Sequence, residues 1–326
     1  MHNAAGVTNP IRFYDDHPHE TSFHREVIDG LSQWPRTIPP KYFYDGEGSR
    51  LFEKICEQPE YYVTRTELAL LQQCAGEIAA LTGPGCFLIE PGSGACEKVR
   101  ILLSELRPAC YVPMDISCDH LQDSAKTLAR EYSWLDVHAV CADITDSLSL
   151  PFIPSDVRRV IFYPGSSIGN FEPGEAQSFL QQFAIVVGRG GGVLIGVDLK
   201  KDSQKLNEAY NDANGITAEF NLNLLHRINR ELGGDIDVDA FQHHAFYNET
   251  AGRIEMHLVS SVRQTVRVDG HDFEFDAGEN IHTENSYKYS IGEFQALASR
   301  AGFIPEAVWT DEDALFSLHY LRNTEK

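Results

Sequence analysis

Nowhere in the chain is there an apolar run approaching the roughly 18 residues that a membrane-spanning helix needs, which excludes a transmembrane segment. The start, Met-His-Asn-Ala-Ala-Gly, lacks the basic-then-apolar pattern of an export leader, so a cytoplasmic protein is expected. Cysteine is sparse and confined: Cys56, Cys74, Cys86, Cys96, Cys110, Cys118 and Cys141 make an odd count with no C-x-x-C pair. That pattern argues against a disulfide frame or a zinc site and for reduced thiols. Basic charge is scarce as well, 27 Lys and Arg against 48 Asp and Glu, giving a formal net charge of −21. A surface that acidic repels phosphate backbones and anionic lipid, so neither nucleic acid nor a membrane is an expected partner. Internal repeats and low-complexity tracts are missing too. What remains is a globular chain whose 42% apolar share suffices for a sizeable core in 326 residues. A monomer acting on a small molecule is the expectation.

Residues 1 to about 40 are rich in His, Asp and Pro, and Trp34-Pro-Arg-Thr-Ile-Pro-Pro-Lys41 is too interrupted by proline for a helix, so this stretch reads as a feeder segment. Apolar spacing at Leu51, Phe52 and Ile55 predicts a helix over 48–58. Leu68, Leu71 and Ile78 predict a second over 66–81, opened by a threonine-type cap. After Gly83-Pro-Gly85 the pattern changes to short, nearly continuous apolar runs at 86–89, 111–114, 137–141, 159–163 and 193–197, with helical stretches at 98–105, 120–132 and 175–187. Such runs are strands buried on both faces, and their alternation with helices predicts an open, doubly wound parallel sheet of the α/β class. Residues 200–233 read as polar helix. Alternating strands are expected at 244–248, 253–268 and 272–275, the mark of antiparallel strands with one wet face, then a helix at 290–301 and a last strand at 314–321.

The first sheet strand ends at Glu90 and runs into Pro91-Gly92-Ser93-Gly94-Ala95-Cys96-Glu97-Lys98. Without side chains at Gly92 and Gly94 a ligand can approach the backbone at the carboxyl edge of the sheet. Glu97 stands where G-x-G-x-x-G has its third glycine and is a poor neighbour for pyrophosphate, which disfavours a nicotinamide dehydrogenase. Asp115 closes the second strand, where a carboxylate can accept from both ribose hydroxyls, and Asp143 closes the third, where it can accept from an adenine amino group. Either aspartate alone could serve as a helix cap or a solvated loop acid. Together with the glycine turn they fit a phosphate-free adenosine ligand such as S-adenosylmethionine. The fourth strand runs into Gly165-Ser-Ser-Ile-Gly-Asn-Phe171, where Asn170 either holds a substrate amine or forms a turn. His243 and His244 are adjacent on a strand and point to opposite faces, so no metal site is expected.

Five blocks then stand together in one order: Tyr44-Asp-Gly-Glu-Gly-Ser-Arg-Leu-Phe52, Pro59-Glu-Tyr-Tyr-Val-Thr-Arg-Thr-Glu67, Glu90-Pro-Gly-Ser-Gly-Ala-Cys-Glu-Lys98, Gly165-Ser-Ser-Ile-Gly-Asn-Phe171 and His282-Thr-Glu-Asn-Ser-Tyr-Lys-Tyr-Ser290. In these blocks the chain resembles the histidine Nα-methyltransferases, which form hercynine on the way to ergothioneine. The resemblance implies a class I methyltransferase core, a Rossmann-like doubly wound sheet, with a second, smaller α+β substrate-binding domain. The substrate-binding part would comprise 1–65 and 200–288, and the core 66–199 and 289–326. It further implies that S-adenosylmethionine lies against Gly92, Lys98, Asp115, Asp143 and Ile144. The amino and carboxylate groups of L-histidine fall to Tyr61, Asn170 and Tyr210 with Tyr44 nearby, the imidazole to Glu284 and Ser286, and an apolar wall to Met256. Pro91 and Val63 stand where the family more often has leucine and proline, which affects local backbone shape and no proposed contact.

Methyl transfer from a sulfonium is an in-line displacement, so positioning is most of the catalysis. The attacking amine must be neutral, and Asn170 and Tyr44 are the expected catalytic pair that orients it while water or a tyrosine takes the proton. Glu284 and Ser286 would each serve one nitrogen of a neutral imidazole. An indole has one donor and no acceptor, which argues against the rival expectation of another aromatic amino acid such as tryptophan. A non-catalytic S-adenosylmethionine sensor is the other rival, disfavoured by the full set of substrate-side residues. The resemblance implies as many as three methyl additions.

Overall fold

In the computed structural model residues 11–16, 21–145 and 150–324 are described. In chain order they form β1 (Arg12–Asp16), α1 (Thr21–Ser32), β2 (Arg36–Thr37), α2 (Gly46–Glu57), α3 (Tyr62–Thr82), β3 (Phe87–Pro91), α4 (Glu97–Leu106), β4 (Cys110–Asp115), α5 (Cys118–Glu131) and β5 (Asp136–Ala142). Then come β6 (Arg159–Tyr163), α6 (Pro173–Val187), β7 (Gly192–Asp198), α7 (Ser203–Ala209) and α8 (Ile216–Leu232). The chain closes with β8 (Phe241–Asn248), β9 (Arg253–Ser260), β10 (Gln264–Val268), β11 (His271–Phe275), β12 (Asn280–Tyr287), α9 (Ile291–Arg300), β13 (Phe303–Thr310) and β14 (Phe316–Asn323). None of the described helices is long and apolar enough to cross a membrane.

The five continuous apolar runs become the parallel strands β3 to β7 of an eight-stranded sheet ordered β1-β5-β4-β3-β6-β7-β14-β13. Only β14 runs against its neighbours β7 and β13. Leu71, Leu102 and Leu128 from α3, α4 and α5 pack one face, and Phe183 and Phe294 from α6 and α9 pack the other, so the sheet is wound on both sides. Strand order reverses at β3, which lies between β4 and β6. A reversal of this kind opens a crevice at the carboxyl ends, and the glycine turn after β3 falls in it. This is the doubly wound α/β fold expected, and a four-stranded sheet ordered β2-β12-β9-β8 stands beside it.

Several expectations need correction. The segment 12–16, read as part of a feeder, is an edge strand paired in parallel with β5, and 21–32 is a helix. Tyr14 stacks on Phe152 and His138, so a loop far along the chain supplies the packing that a five-residue polar strand cannot announce. The rest of the N-terminal feeder reading, at 1–10 and 17–20, lies outside the described residues. Helix α3 starts at Tyr62, ahead of the expected threonine cap, because the Arg65 guanidinium ties the carbonyls of Gln58, Pro59 and Tyr61 into its first turn. The stretch 200–233 is two helices, broken where Asp212 accepts from the backbone N–H groups of Ile216 and Thr217. The strand expected over 253–268 is the separate pair β9 and β10, while β12 and β13 had no sequence expectation at all.

Cys118 and Cys141 form a disulfide, against the expectation that every cysteine stays a thiol. Register explains it: Cys141 stands opposite Asp115 across β4 and β5, and α5 begins just past that point. Their Cα atoms lie 5.3 Å apart, within bridging range. No spacing in the sequence signals such a pairing.

The loop after β6 seats directly on β12. A Cβ on Gly169 would lie 2.7 Å from the Tyr287 carbonyl oxygen, a backbone atom that cannot swing away. Gly169→Ala should therefore destabilise the protein by about 1–3 kcal/mol and lower Tm by several degrees. Gly174, near the start of α6, has open space around it, so Gly174→Ala should leave Tm unchanged or raise it slightly. Calorimetric melts of both variants check the contrast.

Candidate active site

The crevice at the switch point is built from backbone turns and two aspartates. Gly92 and Gly94 take φ of 70° and 50°, the left-handed region where a side chain is strained. Asp115, at the end of β4, accepts from the Gly94 N–H on one oxygen and the Ser117 N–H on the other, both at 2.9 Å. Burial pushes its carboxyl above the ordinary range although those N–H groups pull the other way. The carboxylate still has room for a further donor. Asp143, just past β5, accepts from the Thr145 N–H at 2.9 Å and from its hydroxyl at 2.6 Å, with the Lys41 ammonium at 2.9 Å on its other oxygen. Burial opposes its charge, but Thr145 and Lys41 outweigh it and hold the carboxyl low. A Cβ on Gly92 would come within 3.9 Å of Ile144 Cδ1, which makes the space between turn and loop a slot that glycine keeps open.

Lys98 reaches the other side of the turn and pairs with the fully buried Glu67 at 2.7 Å. Glu67 also takes the Gly165 N–H on both oxygens at 2.9 Å, so one carboxylate ties α4 to the loop after β6. The cations bordering the crevice, Lys41 and Lys98, are thus each neutralised by a carboxylate. A crevice of glycine N–H groups, partnered lysines and an aspartate with free lone pairs fits an adenosine without phosphate.

Next to it lies a cleft of about 580 Å³. Tyr44, Tyr61, Asn170, Tyr210, Met256, Glu284 and Ser286 all line it, so the structure gathers every residue singled out on the substrate side into one space. Tyr44 follows a short 3-10 turn, Pro40–Phe43, and its ring meets Phe52 and Phe220 edge-on. Tyr61 stands at the start of α3, edge-on to Tyr210, 6.2 Å between ring centres. Asn170 ends the short 3-10 turn Ser167–Asn170. Met256 on β9 stands directly opposite Glu284 on β12.

The chemistry of the cleft lies in which groups are left without partners. Among the described residues, Tyr44 Oη, Tyr61 Oη, the Asn170 amide and the Glu284 carboxylate make no hydrogen bond, although all four line the cleft. Tyr61 is buried and the other three are half-buried, so these polar groups open onto the cleft, and a cluster of convergent polar groups facing one concave space points to a ligand. Burial, with Glu284 nearby, holds both tyrosines well above the ordinary phenol range, so they stay neutral. Burial likewise pushes Glu284 up to about 7, with Lys288 pulling the other way.

Lys288 was not anticipated, although it sits inside the block 282–290. It is fully buried and pairs at 2.8 Å with Asp198 at the end of β7. Asp198 also accepts from Tyr62 and Lys201, whose ammonium burial lowers to about 8. The signal was a lysine between two tyrosines at the end of a strand. Exposure would have been the usual reading of it.

Residues 23–323 match the family described as "Histidine-specific methyltransferase, SAM-dependent". The chain is 43% identical over 303 residues to the histidine N-alpha-methyltransferase of Mycobacterium tuberculosis, covering 91% of this chain and 94% of that protein. It is 40% identical over 303 residues to the protein of the same name from Mycolicibacterium smegmatis, with 91% and 94% covered. Ergothioneine biosynthesis protein 1 of Neurospora crassa is 34% identical over 310 residues, 88% of this chain and 33% of that longer protein.

A carboxyl raised on folding binds its proton more tightly in the native state, so its contribution to stability falls as pH climbs from the ordinary value of 4.5 toward about 7. In the ligand-free protein Glu284→Gln should therefore raise Tm by a few degrees at about pH 8, with the gain shrinking toward about pH 5. Melts at the two pH values check it, and a gain of equal size at both would mean that the carboxylate is well solvated.

Proposed function

The chain belongs to the family of S-adenosylmethionine-dependent, histidine-specific methyltransferases, and from that premise we propose that it methylates the α-amino nitrogen of L-histidine, up to the trimethylated product hercynine. The observation that carries the reading is the far wall of the cleft, where an unpartnered carboxylate at Glu284 and the hydroxyl of Ser286 stand two residues apart on β12. Side chains at that spacing share a face, and together they match the donor and the acceptor of a neutral imidazole.

S-adenosylmethionine supplies an electrophilic methyl group when bound, and the remaining work belongs to the chain. Gly92 and Gly94 leave the crevice open, Asp115 offers lone pairs to a ribose, and Asp143 with Ile144 borders the base. Lys98 shapes the turn through Glu67. Tyr61 and Tyr210 hold the amino-acid end of the substrate, Met256 walls the ring, and Asn170 with Tyr44 orients the amine toward the crevice. Because Tyr44 and Tyr61 are held as neutral phenols, the ammonium proton leaves to water and the phenol oxygens serve as acceptors. Alignment of nucleophile and methyl carbon is then the main source of rate.

In this reading residues 200–288, with the segment leading into α3, make the substrate-binding part, and β1 goes with the core it pairs to. A cytoplasmic enzyme is the reading that the five free cysteines favour, and the Cys118–Cys141 disulfide runs against it.

Glu284→Ala should raise the histidine KM by about 10- to 100-fold, the worth of a hydrogen bond to a charged group, and leave cofactor affinity nearly unchanged. Steady-state kinetics with calorimetry of each ligand tests this, and mass spectrometry of the products counts the methyl groups. An unaltered histidine KM would remove Glu284 from the ring site.

A further inference from the structure

Lys288 lines the substrate cleft, yet its ammonium is fully committed inside the protein. It has three N–H donors. One goes to Asp198 Oδ2 at 2.8 Å, one to Tyr210 Oη at 3.1 Å and one to Ser286 Oγ at 2.8 Å. Burial works against the charge, but Asp198 and Tyr210 outweigh it and keep the lysine protonated. It therefore has nothing left to donate to a substrate, and acts only through the two hydroxyl groups it touches.

Those hydroxyl groups bond to each other, Tyr210 Oη to Ser286 Oγ at 2.8 Å. A phenol is the better donor and an aliphatic hydroxyl the better acceptor, so the proton in this bond is tyrosine's. Ser286 Oγ then accepts twice, from Lys288 and from Tyr210, and both of its lone pairs are filled. Its own O–H is the only hydrogen-bonding capacity it retains, and the cleft is where that hydrogen can go. Two positions away Glu284 can only accept when ionised.

We propose that Lys288 is a specificity-determining positioning residue: by filling Ser286 Oγ it makes that hydroxyl an obligatory donor, so that the wall reads one acceptor nitrogen and one N–H in the same ring. The inference rests on the histidine reading above. It gives a reason for a buried lysine just past the end of β12, where a charge is costly to hold. A ring with an N–H but no acceptor nitrogen leaves the Ser286 hydrogen stranded, and an unpaired buried polar group of this kind is what gives an enzyme sharp discrimination.

The test compares L-histidine with the two pyrrolylalanines, each of which keeps one ring N–H and replaces the other nitrogen by C–H. Wild-type kcat/KM should favour histidine by about 100-fold or more over the better pyrrole. Ser286→Ala and Lys288→Met should each cut that ratio by about tenfold or more, with cofactor affinity held within about twofold by calorimetry. The double variant should show no greater loss than the worse single one, since both remove the same donor. Multiplying effects, or a Lys288→Met ratio equal to wild type, would overturn the proposal. If Lys288→Met does not fold, Tyr210→Phe empties the same serine of its second donor without touching the ion pair, and it should lower the ratio likewise; an unchanged ratio there also overturns it. A wild-type enzyme that leaves histidine unmethylated would instead sink the substrate reading itself.

Discussion

One buried carboxylate, that of Asp198, joins the two sheets. It ends β7, accepts from Tyr62 of α3, and pairs with Lys201 and with Lys288 at the end of β12. Backbone contacts run beside it, Tyr289 N–H to the Asp198 carbonyl at 3.2 Å and Lys200 N–H to the Tyr289 carbonyl at 3.0 Å. Burial opposes its charge, and the two ammonium groups overcome this and hold its carboxyl low. A buried ion pair of this kind contributes little net stability, because desolvation consumes much of the Coulombic gain. Its value is in arrangement, since an unpaired charge left behind would cost several times more than the pair returns. The second sheet is thereby fixed against the first at the point where the cleft forms.

Carboxylates elsewhere divide by the same logic. Asp143 and Glu67 have a lysine each, and Asp198 has two, so their charges are spent inside the fold. Asp115 and Glu284 have no lysine or arginine bonded to them and are pushed upward by burial. In a chain with a formal charge of −21 a cationic cofactor needs no special attraction, and what the site must supply is geometry. Uncompensated burial is a cost, which Glu90 meets with the Tyr111 hydroxyl and which Asp115 and Glu284 would meet, in the proposed reading, with ribose hydroxyls and an imidazole N–H.

Legibility in the sequence followed how local the physics was. The strands β3 to β7 are continuous apolar runs bounded by glycine and polar turns, and the expected runs all fall on them. Their helices appeared with ends shifted by a residue or two, as is usual when caps set the limits. Strand β1 is five residues of mixed polarity, and its pairing and stacking partners are more than a hundred residues away, so nothing nearby marked it. The disulfide was hidden for the same reason, since only strand register brings Cys118 to Cys141. Of the candidate site residues, Tyr44, Tyr61, Gly92, Lys98, Asn170, Glu284 and Ser286 fall in the five motif blocks, Asp115 and Asp143 were marked by strand ends, and Ile144, Tyr210 and Met256 entered only through the resemblance. Lys288 was not legible, because its meaning depends on Asp198, ninety residues earlier in the chain.

The least readable feature of the site is also the one that aims it. Along β12, Ile281 pairs with Leu258 of β9 and faces the core, so simple alternation would put residues 283, 285 and 287 on that face and turn Glu284 and Ser286 away. Register instead shifts between His282 and Glu284: Thr283 is the extra residue, its hydroxyl held by Asn221 at 2.8 Å and by the Met256 carbonyl at 3.0 Å. Beyond the bulge the parity is reversed. Glu284, Ser286 and Lys288 now face the cleft, while Asn285 and Tyr287 reach Glu172 on the opposite side. A bulge re-aims side chains at the cost of one unpaired ladder position, and here that single residue decides whether the wall of the pocket carries a carboxylate, a hydroxyl and a buried ammonium or their neighbours. No period read from the sequence could have located it, because the inserted threonine is itself an ordinary strand residue.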